Sequence, residues 1–266
     1  MRLGLGSYAC AWEIGVPGYA PERPMDAVGL IRRAADHGLH LVQIADNIPL
    51  ERCSARELEE IRGCARDRHV ALELGTRGIS TAHLQRFLEL CRFFESTLLR
   101  VVVDTKRHEP PPDEVIRTLR DPLPELAASG VTLAIENHDR FRAATFAEIV
   151  REIGDPSVGI CLDTVNSFGS LEGPEVVIET LAPYVVSLHV KDFVIRRIPN
   201  MMGFEILGAP AGQGRLDIPK LLSRFHRPNA ILELWPPFTR GVSATIELEQ
   251  SWCESSIRFL RQFIID

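Results

Sequence analysis

The fold is decided by the stretch from residue 131 to residue 163, VTLAIENHDRFRAATFAEIVREIGDPSVGICLD. It contains an apolar run at 131–136, a helical pattern at 145–153 and a second apolar run at 158–163. Short apolar runs separated by an amphipathic helix are typical of parallel strands that are covered on both faces. The stretch therefore predicts one strand–helix–strand unit of an α/β protein.

The same pattern repeats along the whole chain. Strands are predicted at 2–8, 40–45, 70–75, 98–104, 131–136, 158–163, 185–190 and 229–233, and amphipathic helical segments at 27–38, 113–128, 145–153 and 244–265. Eight such units in 266 residues match a single (β/α)8 TIM barrel that spans 1–266. An open doubly wound sheet is the alternative, but LGLGSYACAW at 3–12 is a poor version of its glycine-rich phosphate turn.

Composition favours a small-molecule enzyme. The chain is 45% hydrophobic and 25% charged, as in soluble globular proteins, and its formal net charge is −6. An acidic chain is a poor binder of nucleic acid, which requires clustered cations. The absence of a long apolar run and of signal-peptide features predicts a cytoplasmic protein without a membrane partner, and homo-oligomers remain open. The six cysteines form no C-x-x-C pair, which predicts reduced and mostly buried thiols.

Four late strands end in residues of metal-binding type. These residues are Glu136, Asp163, His189 and Glu233. Any one of them is ordinary, but burying three like charges in a barrel costs several kcal/mol each unless they are paired. A divalent cation removes that cost. Three carboxylates and one imidazole suit Mn²⁺, Mg²⁺ or Co²⁺, with Zn²⁺ as an alternative, and leave positions for a substrate.

The chain resembles the xylose-isomerase-like barrel superfamily of sugar isomerases and sugar epimerases over essentially its whole length. The resemblance rests on IEN (135–137), LDTxNS (162–167), HVKD (189–192), GxGxLDI (212–218) and LEL (232–234), in this order. It implies that Glu136, Asp163, His189 and Glu233 hold one catalytic metal.

The superfamily also contains AP endonucleases, whose three zinc ions require additional histidines. Here strands three and four end in LELGTRG and RVVVDT, Asn166 stands where the nuclease pattern has histidine, and AGQGRLDI replaces an aspartate-x-histidine pair. A trinuclear site cannot be assembled from these residues. Phosphodiester cleavage is therefore not expected.

With one metal, the expected chemistry is proton transfer next to a carbonyl, through a metal-stabilised enediolate of a carbohydrate or keto acid. Glu136 and Glu233 approach from opposite edges of the four-strand arc, so they are candidates for the removal and return of a proton. The resemblance implies the same pair in the epimerases. Lys191 is a candidate donor to a substrate oxygen, and His138 a candidate acid or base.

Further polar and aromatic residues belong to the predicted active face. The candidates for substrate binding are Asn166, Gln213, Glu73, Arg77, Trp12 and Trp235, with Gln43 and Asp46 on strand two beside them. Each has an alternative structural role, as a salt-bridge partner or as a packing residue at the barrel mouth.

A long connection follows the seventh strand. Residues 193–215 read FVIRRIPNMMGFEILGAPAGQGR, which predicts a loop on the active face that closes over the pocket. Arg196 and Arg197 suggest phosphate binding, but no glycine-rich cradle supports them, so an unphosphorylated sugar or sugar-like acid is preferred.

Two other functions compete with the isomerase or epimerase. A lyase would use the same metal and base but expel a β-substituent, as in the dehydroshikimate-type dehydratases of the superfamily. A noncatalytic sugar-binding barrel is the third hypothesis, and the intact metal positions disfavour it.

Overall fold

The apolar segments form eight parallel strands that close into a barrel, which confirms the predicted TIM barrel. The computed structural model describes residues 1–265. The barrel strands are β1 (Leu3–Gly6), β2 (Leu41–Ile44), β3 (Ala71–Arg77), β4 (Leu98–Val102), β5 (Thr132–Glu136), β6 (Val158–Asp163), β7 (Val185–Val190) and β10 (Asn229–Leu232), and β1 pairs with β10 to close the ring.

Helices cover the outside of the barrel. They are α1 (Ala11–Ile14), α2 (Ala27–Asp36), α3 (Ala55–Asp67), α4 (Thr81–Phe94), α5 (Pro112–Arg120), α6 (Leu123–Ser129), α7 (Ala143–Ile153), α8 (Pro174–Leu181), α9 (Ile218–Arg224) and α10 (Val242–Leu260). The single helix predicted at 113–128 is two helices, because Pro122 lacks the N–H that a continuous helix would need. Within residues 1–265, no helix is long and apolar enough to cross a membrane.

The two faces of the barrel strands differ in chemistry. Outward-facing leucines such as Leu72, Leu74 and Leu99 are buried beneath the helices. The alternate positions point into the barrel, and many of them are polar: Gln43, Glu73, Arg100, Glu136, Asp163, Ser187, His189 and Glu233 are all at most 4% exposed. The barrel interior is therefore a buried polar layer that needs internal partners.

The connection predicted as one long loop at 193–215 is instead largely an antiparallel hairpin. Its strands are β8 (Asp192–Arg197) and β9 (Phe204–Ala209), paired from Asp192 with Ala209 to Arg197 with Phe204. Both strands contain apolar residues, and pairing satisfies backbone groups that an open loop would leave to water. The tip exposes Met201, Met202 and Phe204.

Asp192 organises the loop that returns from this hairpin. Its buried carboxylate accepts hydrogen bonds from the backbone nitrogens of Phe193, Gly212, Gly214 and Leu216, at 2.8 to 3.0 Å. Gly214 is required here, because a Cβ atom at this position would lie 2.1 Å from Oδ1 of Asp192. The HVKD and GxGxLDI motifs are therefore one structural unit.

Replacement of Asp192 tests this unit. We expect Asp192→Asn to lower the free energy of unfolding by about 3 kcal/mol, because an amide group turns a donor toward backbone N–H groups and removes a charge-assisted acceptor. Urea unfolding measures the change. Asp217→Asn is the matched control: Asp217 is an exposed N-cap that accepts from the backbone nitrogen of Lys220, and asparagine caps helices equally well. Equal stability of the two variants would contradict the assigned role of Asp192.

Candidate metal centre

The four residues predicted from strand ends come together at the carboxyl end of the barrel. Glu136 ends β5, Asp163 ends β6, His189 lies one residue before the end of β7, and Glu233 directly follows β10. Their side chains are at most 1% exposed. The strand register places His189 level with Asp163 and places Glu136 level with Cys161, two residues deeper.

His189 is the centre of the cluster. Its Nδ1 atom lies 3.2 Å from Oε2 of Glu136, 3.4 Å from Oε1 of Glu233 and 3.8 Å from Oδ2 of Asp163. Two sets of possible ligand atoms lie within 4.8 Å of one another: Asp163, His189 and Glu233, and Glu136, Cys161 and His189. The structure therefore brings the predicted ligands to one place, with Glu136 beside a thiol that the sequence did not single out for this site.

Several buried atoms of the cluster have no hydrogen-bond partner of good geometry. They are Oδ2 of Asp163, Nδ1 of His189 and both carboxylate oxygens of Glu233. Buried polar atoms are rarely left in this state, because the cost of desolvation is then not recovered. All are hard or borderline donors that a divalent cation accepts. The residues present therefore fit the cation implied by the fold family.

Lys191 lies beside the same oxygens. Its Nζ is 2.8 Å from Oδ2 of Asp163 and 2.8 Å from Oε2 of Glu233. Burial lowers the pKa of Lys191, but the carboxylates of Asp163 and Glu233 outweigh burial and raise it above the usual value. The lysine therefore carries a proton at the edge of the cluster, close to Asp163 and Glu233.

Glu136 has a different environment from Glu233. Nε of Arg100 donates to its Oε2, and Nδ2 of Asn166 donates to its Oε1 at 2.7 Å. Burial raises the pKa of Glu136, but the nearby Arg100, His189 and Lys191 together outweigh burial and hold it well below the usual range. Both oxygens of Glu136 thus accept hydrogen bonds from Arg100 and Asn166, whereas Glu233 makes an ion pair with Lys191 at Oε2 and lies 3.4 Å from Nδ1 of His189 at Oε1.

Arg100 was missed by the sequence analysis. It points into the barrel from β4, is 2% exposed, and also donates to Oδ1 of Asp46 at 2.9 Å. Gly75 on the neighbouring strand leaves room for it, since a Cβ atom there would lie 3.3 Å from Cδ of Arg100. The available signal was a single charged residue inside the apolar strand LLRVV.

A cavity of about 280 Å³ opens beside the cluster. Its lining includes four of the predicted residues and Ile206 of the hairpin: His138, Asn166, Lys191, Trp235 and Ile206. Nδ1 of His138 contacts Asp139, and Nε1 of Trp235 donates to the backbone oxygen of Asp192 at 3.0 Å. The cavity thus extends from the cluster of predicted metal ligands to one face of the β8–β9 hairpin.

Four other predicted substrate contacts lie outside this lining. Glu73 is buried in the barrel, where Gln43 and Asn229 donate to it. Arg77 pairs with Asp46 near His138. Trp12 donates to the backbone oxygen of Pro236 and packs against Tyr19 and Phe238, and Gln213 is exposed in the return loop.

The paired arginines of the hairpin are engaged with their neighbours. Arg196 forms an ion pair with Glu205, and the guanidinium of Arg197 lies over the ring of Phe204. Both side chains are exposed to solvent, away from the lining of the cavity.

The family model for xylose isomerase-like TIM barrels matches residues 31–262. The chain belongs to this family. The resemblance inferred from the sequence motifs is thereby confirmed.

Among curated proteins, a 3-oxo-isoapionate decarboxylase from Pectobacterium atrosepticum is 34% identical over 98% of this chain and 95% of its own length. Solved structures share the fold at lower identity. A D-psicose 3-epimerase from Clostridium cellulolyticum H10, solved with D-tagatose, is 17% identical with a TM-score of 0.73 and 99% coverage of both chains. A barrel protein from Mycobacterium smegmatis, solved with magnesium, is 14% identical with a TM-score of 0.70 and 97% coverage of both chains.

Metal titration tests the cluster directly. We expect Mn²⁺ to bind the wild-type protein with one site and to raise its melting temperature, because a cation that binds only the folded state stabilises it. Asp163→Asn should weaken binding by more than about 10-fold, since it replaces a charged carboxylate of the proposed ligand set by a neutral amide. Asp139→Asn, at an exposed carboxylate on the cavity rim, is the control. Calorimetric titration that finds equal affinity in both variants would contradict the site.

Proposed function

We propose that the protein is a divalent-metal-dependent decarboxylase of a 3-oxo sugar acid. The observation that carries this proposal is the asymmetry between the two glutamates. Epimerisation requires two groups that exchange protons on opposite faces of a carbon. Glu136 is held by Arg100 and Asn166 and is therefore not free to act as a base, whereas Glu233 contacts the ammonium group of Lys191, which can carry a proton.

Decarboxylation of a 3-oxo acid needs no base to remove a proton from carbon. The bond between the carboxylate carbon and C2 breaks, CO₂ leaves, and the electron pair moves through C2 to the C3 carbonyl oxygen. A cation held by Asp163, His189, Glu233 and Glu136 would supply stabilisation of the negative charge on that oxygen. The resulting enolate then takes one proton at C2, so one acid is sufficient.

Lys191 is the proposed proton donor. Its ammonium group lies between the predicted metal ligands and the cavity. The carboxylates of Asp163 and Glu233, each 2.8 Å from Nζ, hold it in this position. It carries a proton at neutral pH because these carboxylates stabilise its charge. Asn166 and His138 line the same cavity and are placed to bind substrate hydroxyl groups.

The hairpin supports this chemistry by covering the cavity. Ile206 of β9 and Trp235 form an apolar part of its wall. An apolar wall excludes water, which strengthens the electrostatic interactions within the site. We propose that the hairpin closes further over bound substrate, as the sequence predicted for this segment.

The relative with 34% identity supports the reaction class, because its match covers 98% of this chain. The isomerase or epimerase predicted from the sequence is the second candidate. It is favoured by the placement of Glu136 and Glu233 on two sides of His189, at 3.2 and 3.4 Å from Nδ1. It requires that substrate or metal binding separates Glu136 from Arg100.

Product analysis in D₂O distinguishes the two candidates. The Mn²⁺-loaded protein is incubated with 3-oxo sugar acids and with unphosphorylated ketoses, and products are followed by proton NMR and CO₂ release. We expect CO₂ from a 3-oxo acid and a single solvent deuterium on the former C2 of its product. Deuterium entry into ketoses or an epimer, with no CO₂ from any acid, would overturn the decarboxylase and support the epimerase.

Replacement of Lys191 tests the proton donor. We expect Lys191→Met to lower turnover by roughly 10²- to 10⁴-fold, the range usual for removal of a general acid. Its Mn²⁺ affinity should stay equal or increase, because a competing ammonium group near two ligand oxygens is lost. Lys220→Met, at an exposed position in α9, is the control. Wild-type turnover in a metal-replete Lys191→Met protein would assign the proton to another group, with His138 the next candidate.

A further inference from the structure

We infer that the buried Gln43 and Glu73 and the half-buried Asn229 form a relay that fixes which ring nitrogen of His189 faces the three carboxylates. These are positioning residues, since they lie outside the cavity lining and reach the proposed metal ligands only through Nε2 of His189. The inference rests on the metal centre proposed above, and it assigns a role to polar groups that the proposed reaction does not use.

The relay consists of four successive hydrogen bonds. The backbone nitrogen of Arg2 donates to Oδ1 of Asn229 at 3.2 Å, and Nδ2 of Asn229 donates to Oε1 of Glu73 at 2.8 Å. Nε2 of Gln43 donates to Oε2 of Glu73 at 3.1 Å. Oε1 of Gln43 lies 2.6 Å from Nε2 of His189.

The direction of these bonds is set at their far end. A backbone N–H can only donate, so the side-chain oxygen of Asn229 faces Arg2 and its amide nitrogen faces Glu73. The carboxylate of Glu73 accepts from both amides, so the oxygen of Gln43 faces His189. Nε2 of His189 must then carry the hydrogen. Nδ1 is left directed at Glu136, Asp163 and Glu233, as a metal ligand requires.

Reversal of the Gln43 amide is costly. If the Gln43 amide rotated by 180°, its oxygen would face the Glu73 carboxylate and its nitrogen would face the ring. Gln43 is 0% exposed and Glu73 is 4% exposed, so water cannot replace a lost partner. The register supports the arrangement, because Gln43 is paired with Glu73 across β2 and β3, and Asn229 is paired with Ser187, two residues before His189.

The burial of these groups is otherwise unexplained. The carboxylate of Glu73 and the amide of Gln43, both buried, cost more than apolar side chains of the same volume unless all their bonds are made. They lie outside the cavity lining, so substrate binding does not account for them. A role in orienting the ring of His189 accounts for them.

The experiment compares Gln43→Met and Glu73→Gln with the wild-type protein. Methionine has nearly the same shape as glutamine but cannot accept the imidazole hydrogen. Ser187→Ala is the matched control, because it removes a buried polar group from the same strand as His189, and that hydroxyl has no hydrogen-bond partner. Circular dichroism and thermal melting verify that each variant folds.

Two measurements are made at pH 8. The first is the Mn²⁺ dissociation constant by calorimetric titration. The second is the imidazole N–H resonance of His189 in the ¹⁵N-histidine-labelled, Mg²⁺-loaded protein, assigned by its loss in His189→Gln. We expect Gln43→Met to weaken Mn²⁺ binding by roughly 10- to 100-fold, the range for groups that orient a metal ligand. Its Nε2–H resonance should shift and exchange rapidly with water. Glu73→Gln should show smaller changes in the same direction, and Ser187→Ala none.

The outcomes distinguish failure of the proposed relay from failure of the proposed metal centre. If the wild-type protein binds no Mn²⁺, the proposed metal centre fails. If it binds Mn²⁺, but Gln43→Met keeps both the wild-type affinity and a protected Nε2–H resonance, the relay is overturned. Should Gln43→Met not fold, the same comparison is made with Glu73→Gln, for which wild-type affinity and an unchanged resonance overturn the relay equally.

Discussion

The burial of several carboxylates at one end of a parallel barrel is the constraint on which the rest of this structure depends. Glu136, Asp163 and Glu233 are almost entirely removed from water. Their mutual repulsion in a medium of low polarity would oppose folding unless positive charge is supplied nearby. The chain supplies it unequally: Arg100 neutralises Glu136, while Lys191 lies between Asp163 and Glu233. Nδ1 of His189 and Oε1 of Glu233, which make no hydrogen bond of good geometry, lie where the proposed cation would bind.

The rest of the barrel interior also accommodates buried polar side chains. Glycines at inward positions make space for long polar side chains, as Gly75 does for Arg100. Apolar side chains occupy the outer face of the strands, where the helices cover them. The stability of the barrel therefore comes mainly from its outer layer. The inner layer can then contain polar residues that a purely structural core would not tolerate.

Much of this could be predicted from the sequence, because it follows from periodicity and strand ends. Apolar runs separated by helical patterns predicted all eight barrel strands, and the position of Glu136, Asp163 and His189 at strand ends predicted that they converge. The hairpin of β8 and β9 was not predicted, since its glycines and prolines resemble those of an irregular loop. Arg100, the partners of Glu73 and the deep position of Cys161 were also missed. These depend on the register between strands that are distant in sequence, which no local pattern contains.

The tetrapeptide HVKD has a consequence for how such a protein diversifies. His189 faces the acidic cluster, Lys191 faces the cavity, and Asp192 closes the loop that returns from the hairpin. The base of the hairpin is thus held by the hydrogen bonds of Asp192, while the side chains of Met201, Met202 and Phe204 at its tip are exposed. Changes at Ile206, where β9 contributes to the cavity wall, would alter the shape of that wall without displacing a proposed metal ligand. Selection for a new substrate can therefore act on the hairpin while the inherited chemistry remains intact.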